Sequence, residues 1–200
     1  MNYPIPAKTA ISELEVKKSR FIGIASHADS RDAALTILEK IRADYPDARH
    51  HCWAYQLGHP DTPTSAAMGD DGEPSGTAGK PILNVIQHKD VSDVMVVVVR
   101  YFGGIKLGAG GLVRAYSGAA QAAMADLAIK HHVSLTALSI VSDFRHEQFI
   151  RHFADTHQGQ ISDVVYTDNV ALTLHLPDEA TDPFETSIGA LNIQVRRATE

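Results

Sequence analysis

The hydrophobic pattern of the chain changes period several times, and each change marks an element. "TAISELEV" and "RFIGIASHA" alternate apolar and polar positions and meet at "KKS", which predicts an antiparallel strand pair. "SRDAALTILEKIRADYP" shifts to helical spacing. Leu35, Leu38 and Ile41 share a face, Ser30 stands where an N-cap belongs, and Pro46 follows the end. "RHHCWAYQLG" is a further strand. "HPDTPTSAAMGDDGEPSGTAGKP" then carries no periodicity over about 23 residues and reads as one long loop, a length that usually signals function or mobility. "ILNVIQHK" is a short helix that Pro81 can begin. "VSDVMVVVVR" is the most apolar run, expected at the centre of a sheet and covered on both faces. A helix from about Gly110 to Lys130 follows, and the tandem His131–His132 after it reads as solvated.

The rest of the chain has a different rhythm. "VSLTALSIVS" is a strand, and "FRHEQFIRHFADTH" puts Phe144, Phe149, Ile150 and Phe153 roughly on one helical face. "GQISDVVYT" and "NVALTLHLP" are strands split by the turn signal "TDN". "DEATDPFETSIGAL" is a short helix, with Pro183 best placed in its first turn, and "NIQVRRAT" a last strand. The order strand, helix, strand, strand, helix, strand is that of a ferredoxin-like unit.

Composition supports a division into 1–134 and 135–200, with the join between Lys130 and Leu138. Ten of the fourteen glycines lie between Gly69 and Gly118. Residues 1–134 hold 14 basic and 14 acidic residues, whereas 135–200 hold 4 and 10, so the whole net charge of −6 lies in the last third. That third lacks the basic footprint of a nucleic-acid binder. The first part balances at zero, which leaves room for a local basic patch. One cysteine, Cys52, excludes an internal disulfide framework, and no basic start precedes an apolar run. A cytoplasmic protein without a membrane segment is expected.

Several motifs fail on position. "GTAGKP" has Pro81 where a phosphate-binding loop needs a hydroxyl, and "GAGGLV" has Val113 where a dinucleotide turn needs its last glycine. The backbone N–H groups near Gly110 and Gly111 still form a possible anion site, while Gly118 suits close helix–sheet packing. Asp70, Asp71 and Glu73 on a glycine-rich loop offer oxygen ligands for a divalent ion, or ion pairs to Arg100, Lys106 or Arg114. His50 and Cys52 share a strand face, which fits a buried thiol better than a nucleophile. Arg100, Tyr101 and Phe102 at a strand end combine charge with aromatic surface, as single-stranded RNA sites and protein hot spots both do.

Taken together and in this order, "KKSRFIG", "ARHHCWAYQLG", "DDGEPSGTAGKPIL" and "VVVVRYFGGIKLGAGGLVRAY" resemble the YigZ branch of the IMPACT family over the whole chain. The departures are small: the long loop carries "HPDTPTSAAMG", and Lys106 stands where the family often has other residues. The resemblance implies an α+β protein. Its N-terminal unit would be an α/β fold like the second domain of ribosomal protein S five. Its C-terminal unit would be a ferredoxin-like βαββαβ, the pair being similar to the last two domains of elongation factor G. It also implies a translation-related regulator, because eukaryotic relatives bind an activator of a starvation-responsive translation kinase.

The resulting expectation is a non-enzymatic binding protein with no cofactor and no metal. Its surface would combine Arg20, the loop Asp70–Lys80 and the stretch Arg100–Arg114. Arg100, Lys106 and Arg114 would meet phosphate or an acidic partner, and Tyr101 and Phe102 would stack. Gly103, Gly104, Gly108 and Gly110 would let a partner's backbone approach, and Asp70, Asp71 and Glu73 would orient the basic groups. Partners would be RNA, the ribosome or a translation-associated protein, without DNA specificity. The acidic C-terminal unit would face protein or a second subunit. The alternatives are a protein-only regulatory module and a metal-dependent hydrolase built on Asp70, Asp71 and Glu73.

Overall fold

The computed structural model describes residues 2–197. Tyr3–His132 form one compact unit, and residues 133–197, with Asn2, form another. Together they make a mixed α+β protein, an α/β unit followed by a ferredoxin-like one.

The first unit is built on β6, Val94–Tyr101. Residues 94 to 99 are all fully buried. Burying each such side chain contributes about 1.5–3 kcal/mol, so this strand fixes the rest. It lies in the middle of a five-stranded sheet ordered β2 (Ala10–Val16), β3 (Ser19–His27), β6, β4 (His50–His59), β5 (Thr62–Gly69). Every neighbouring pair is antiparallel. Val96 and Val98 face a core shared with α2 (Gly79–Gln87) and α3 (Ala109–Ala125). Met95, Val97 and Val99 face a second core under α1 (Arg31–Asp44), whose Leu38 and Ile41 are buried and whose N-cap Ser30 accepts from the Ala33 amide at 3.2 Å.

The turn between β2 and β3 is tight. Val16 pairs with Ser19, leaving Lys17 and Lys18 at φ 49° and 63°, the mirror-image turn that suits a hairpin's twist. Gly103 seats it: a Cβ there would lie 1.9 Å from the Lys18 carbonyl oxygen. The Gly103 amide donates to Ser19 Oγ at 3.1 Å.

Five sequence expectations in this unit are corrected. The long loop is half its expected length, because Thr62–Gly69 is the edge strand β5. Its pattern is hidden because an edge strand needs few apolar residues and tolerates Pro63. The helix after it begins at Gly79, not Pro81, because Asp70 caps it from outside. Helix α3 ends at Ala125, and Ile129–His132 instead form β7, paired with β1 (Tyr3–Pro6). His132 is therefore not simply solvated; it stacks on Tyr3 at 4.8 Å. Gly118 has room for a methyl group, with Leu14 Cδ2 at 3.6 Å, whereas Gly23 is the close-packed glycine, with the Ala119 carbonyl oxygen 2.3 Å from an added Cβ.

The second unit has the sheet order β11 (Ile193–Arg197), β8 (Leu135–Ser142), β10 (Val170–Pro177), β9 (Gln160–Tyr166), all antiparallel. Helices α4 (Phe144–Thr156) and α5 (Asp178–Ile188) close its core through Ile150, Ala154, Phe184 and Ile188. Phe144 and Phe149 remain exposed. Pro183 sits past the first turn of α5, inside the helix. It is tolerated because it faces solvent, where the carbonyl it leaves unpaired meets water.

Gly23→Ala should destabilise the protein by about 1–3 kcal/mol, because α3 must retreat from the sheet. Gly118→Ala should be neutral or stabilising by up to about 1 kcal/mol, through helix propensity. Denaturant unfolding of both variants checks the pair.

Candidate functional site

In the register between β4 and β6, His50 faces Arg100 and Cys52 faces Val98. Alternation therefore aims His50, Cys52 and Arg100 at the side of the sheet covered by α2 and α3. The loop after β5 meets them there. Asp71 takes a left-handed conformation at φ 44° and Gly72 follows at φ 85°, so the chain reverses and carries Glu73 to Arg100.

Each acid of this loop has its own task. Asp70 accepts from the amides of Gly76, Ala78 and Gly79 at 2.7, 3.0 and 2.8 Å. Burial pushes its carboxyl up, but these three N–H groups outweigh burial and hold it below the usual carboxylate range. Asp71 accepts from the His51 amide at 2.6 Å and pairs with Arg42 at 3.0 Å. Glu73, nearly buried, pairs through Oε1 with Arg100 Nη1. The same oxygen accepts from Tyr116 Oη at 2.8 Å, and His50 Nε2 stands 3.9 Å away. The expectation that all three acids orient basic groups of the 100–114 stretch is thus met by Glu73 alone. The three-carboxylate metal site is not formed, because Asp70 and Asp71 are committed to backbone amides. Among the described residues no group of three His, Cys, Asp or Glu could hold a metal ion.

Arg100 is 6% exposed. Its guanidinium carbon lies 5.5 Å from the Phe21 ring centre and 5.6 Å from that of Phe102. Its Nε is buried without a partner. Arg100, Glu73 and Phe102 line a cleft of about 420 Å³ with Arg49, Lys106 and the start of α3. That helix begins at Gly108, φ 71°, without a side-chain cap, so its first N–H groups are open to a ligand.

The remaining expected site residues are spread out. Arg114 lines a neighbouring groove with Lys17 and Leu107, the last of which lines both. Arg20 and Tyr101 are paired across β3 and β6, on the opposite sheet face. Arg20 is held there by Glu13 at 2.6 Å, with Tyr101 5.5 Å beneath. Lys80 is exposed in the first turn of α2. Gly104 is exposed with φ 84°, and Gly110 has only Arg114 Nη1 near an added Cβ, at 3.7 Å.

Sequence reasoning did not single out Arg49 or Tyr116 for the site. Tyr116 carried a signal, since a tyrosine on the buried face of an alanine-rich helix needs a partner for its hydroxyl. Its neighbours push its phenol well above the usual range, burial first. Cys52 is fully buried and donates to the Asp70 carbonyl at 2.9 Å. Burial pushes its thiol up to about 12, and the nearby carboxylates add to this.

Asp70→Ala should destabilise the fold by about 1–2 kcal/mol at pH 7, the scale of a lost cap. The native carboxyl is held low, so its contribution is present above the unfolded carboxylate range and fades as pH falls through the native value. The gap between wild type and variant should therefore close in acid, as measured by denaturation across pH. Cys52 should resist thiol reagents at pH 8, with only about one molecule in ten thousand as thiolate, and should react fully once unfolded.

The comparisons agree with this architecture. Residues 17–124 match the Impact N-terminal domain, and residues 140–190 match a domain of unknown function, DUF1949. The chain is 39% identical over 184 residues to the IMPACT family member YigZ of Escherichia coli, covering 92% of this chain and 90% of that protein. It is 36% identical over 198 residues to an IMPACT family member of Haemophilus influenzae, covering 96% of each. A crystal structure described as that of an hypothetical protein superposes with a TM-score of 0.77 at 35% identity, over 100% of this chain and 98% of the other. With both units matched in order and the relatives aligned nearly end to end, the chain belongs to the IMPACT family.

Proposed function

We propose that this is a non-enzymatic cytoplasmic regulator of translation that docks on RNA, and on the ribosome through its RNA, by the basic rim of its N-terminal unit. Family membership is consistent with a regulatory, translation-related role. The observation that carries the RNA reading is a cluster of cations without acidic partners. Arg49 and Lys106 on the cleft, and Lys17 and Arg114 on the adjoining groove, make no ion pair among the described residues. They surround the uncapped start of α3, which adds its own positive potential. Phe102, 47% exposed, supplies a stacking face beside them. The unit's zero net charge conceals this, because the acids of the neighbouring loop, Asp70, Asp71 and Glu73, are committed to backbone amides, Arg42 and Arg100. No helix among the described residues is long and apolar enough to cross a membrane.

Binding of the full-length protein to ribosomes and to single-stranded RNA should weaken steeply with salt. Arg49→Ala, Lys106→Ala and Arg114→Ala should each reduce the slope of log K against log salt by about 0.7. Arg100→Ala is the wrong probe, since it strands the Glu73 carboxylate. Co-sedimentation and filter binding across a salt series, with and without nuclease, check this. Slopes unchanged in all three variants, or a nuclease-resistant capture with a flat salt response, would replace RNA by a protein partner.

A further inference from the structure

We propose that the groove between α1 and the edge strand β2 is the docking site for an amphipathic helix of another protein, one whose apolar stripe is flanked by acids. The groove lies on the opposite face of the sheet from the Glu73–Arg100 cleft and is independent of the RNA reading above.

The two faces of the sheet are unequally covered. Adjacent strands lie about 4.8 Å apart and a helix with its side chains is about 10–12 Å across, so one helix covers about two strands. On one face α3 lies over β2 and β3, and α2 lies over β4 and β5. On the other, the described residues of this unit supply α1 alone, over β4 and β6. A slot about one helix wide therefore remains beside α1, above β2 and the neighbouring part of β3.

The slot is apolar where a helix would lie. One row across the sheet runs Ile11, Ile24, Val97. Val97 is fully buried in the core under α1 and Ile24 is 4% exposed, whereas Ile11 is 59% exposed. On the other side of the same edge strand, Ala10 is buried in the core shared with α3. The larger apolar side chain thus stands on the uncovered face. Ile37 and Ile41 of α1 form the facing wall, and with Ile11 and Ile24 they line a groove of about 460 Å³. A single exposed isoleucine is ordinary. Four converging on one groove beside a helix match the way amphipathic helices are received, through apolar anchors at i, i+3 or i+4, and i+7. Their β-branched side chains are stiff, so covering them costs little rotamer freedom.

Charge selects the partner. Lys8 and Lys40 line the groove, both are exposed, and neither makes an ion pair among the described residues. The lining holds one acid, Asp44, in the last turn of α1. Two unpaired lysines against one carboxylate favour a partner with acids beside its apolar stripe. A second copy of this chain has no helix to offer, because α1 to α5 each bury their apolar face in the core of their own unit.

Phage display of peptides of about 16 residues, a little over four helical turns, on the immobilised full-length protein tests the groove, with counter-selection against Ile11→Glu. The selected sequences should repeat apolar residues at i, i+3 or i+4, and i+7, with Asp or Glu beside them. A labelled peptide from that pool, followed by fluorescence anisotropy, should bind Ile11→Ser about tenfold more weakly than wild type. Lys40→Glu should weaken it about threefold. Both positions are exposed, and thermal melting checks that both variants fold. Pools that are not enriched over the Ile11→Glu control, that place apolar residues at every second position, or that carry Lys and Arg instead of acids overturn the proposal. Competition by single-stranded RNA moves the peptide to the basic rim and overturns it too. A wild-type protein that sediments as a dimer and becomes monomeric as Ile11→Ser assigns the groove to a second copy, with the same consequence.

Discussion

The guanidinium of Arg100 is buried at the end of the central strand, and the N-terminal unit is arranged around making that tolerable. A buried arginine without a counter-charge would not persist, and breaking such a pair costs about 3–5 kcal/mol. Glu73 supplies the charge, Tyr116 of α3 donates to the same carboxylate oxygen, and the rings of Phe21 and Phe102 flank the cation. One ion pair therefore joins β6, the 70–78 loop, α3 and β3. The cleft exists because these elements converge on it, so its shape and the fold's integrity are not separable at Arg100 or Glu73.

The loop that delivers Glu73 is held by its own acids. Asp70 anchors the start of α2 through three amides, and Asp71 anchors the His51 end of β4 and Arg42 of α1. Neither carboxylate is left to neutralise the rim. Around the cleft, Asp70 and Asp71 are turned to backbone donors and Glu73 to Arg100, while Arg49, Lys106, Lys17 and Arg114 make no ion pair among the described residues. Local commitment of charge, not the total, sets the surface potential that a partner meets.

What could be read in the sequence follows from how strongly each element depends on its own residues. The run Val94–Val99 is buried on both faces, so its apolar character is visible without context. Helix α1 and the βαββαβ unit carry full amphipathic patterns and were legible for the same reason. Strand β5 is an edge strand with exposed Thr62, Pro63 and Thr64, and its existence depends on β4, which no local pattern records. The pairing of β1 with β7 joins segments more than a hundred residues apart and is equally silent. In the fold, the glycine-rich motif and Glu73 of the acidic loop meet at one cleft. The division of labour among Asp70, Asp71 and Glu73 depended on which backbone amides the turn brought near, and that is a property of the folded loop.

The motif "RYF" shows the limit most sharply. Read along the chain, its three residues form one cluster of charge and ring. In a strand, neighbours point to opposite faces. Arg100 accordingly turns to Glu73 and Tyr116, while Tyr101 turns to the α1 side, under Arg20. Phe102, beyond the strand end, returns to the Arg100 side. The sheet thus sorts one sequence cluster into two features. One is a buried, anchored pair with an exposed ring beside it, in a cleft large enough for an organic ligand. The other is a surface contact already satisfied by Glu13, with little reason to seek a partner. The same argument separates the arginines of this region: Arg100 is structural support for the cleft, whereas Arg49 and Arg114, like Lys106 and Lys17, make no ion pair among the described residues.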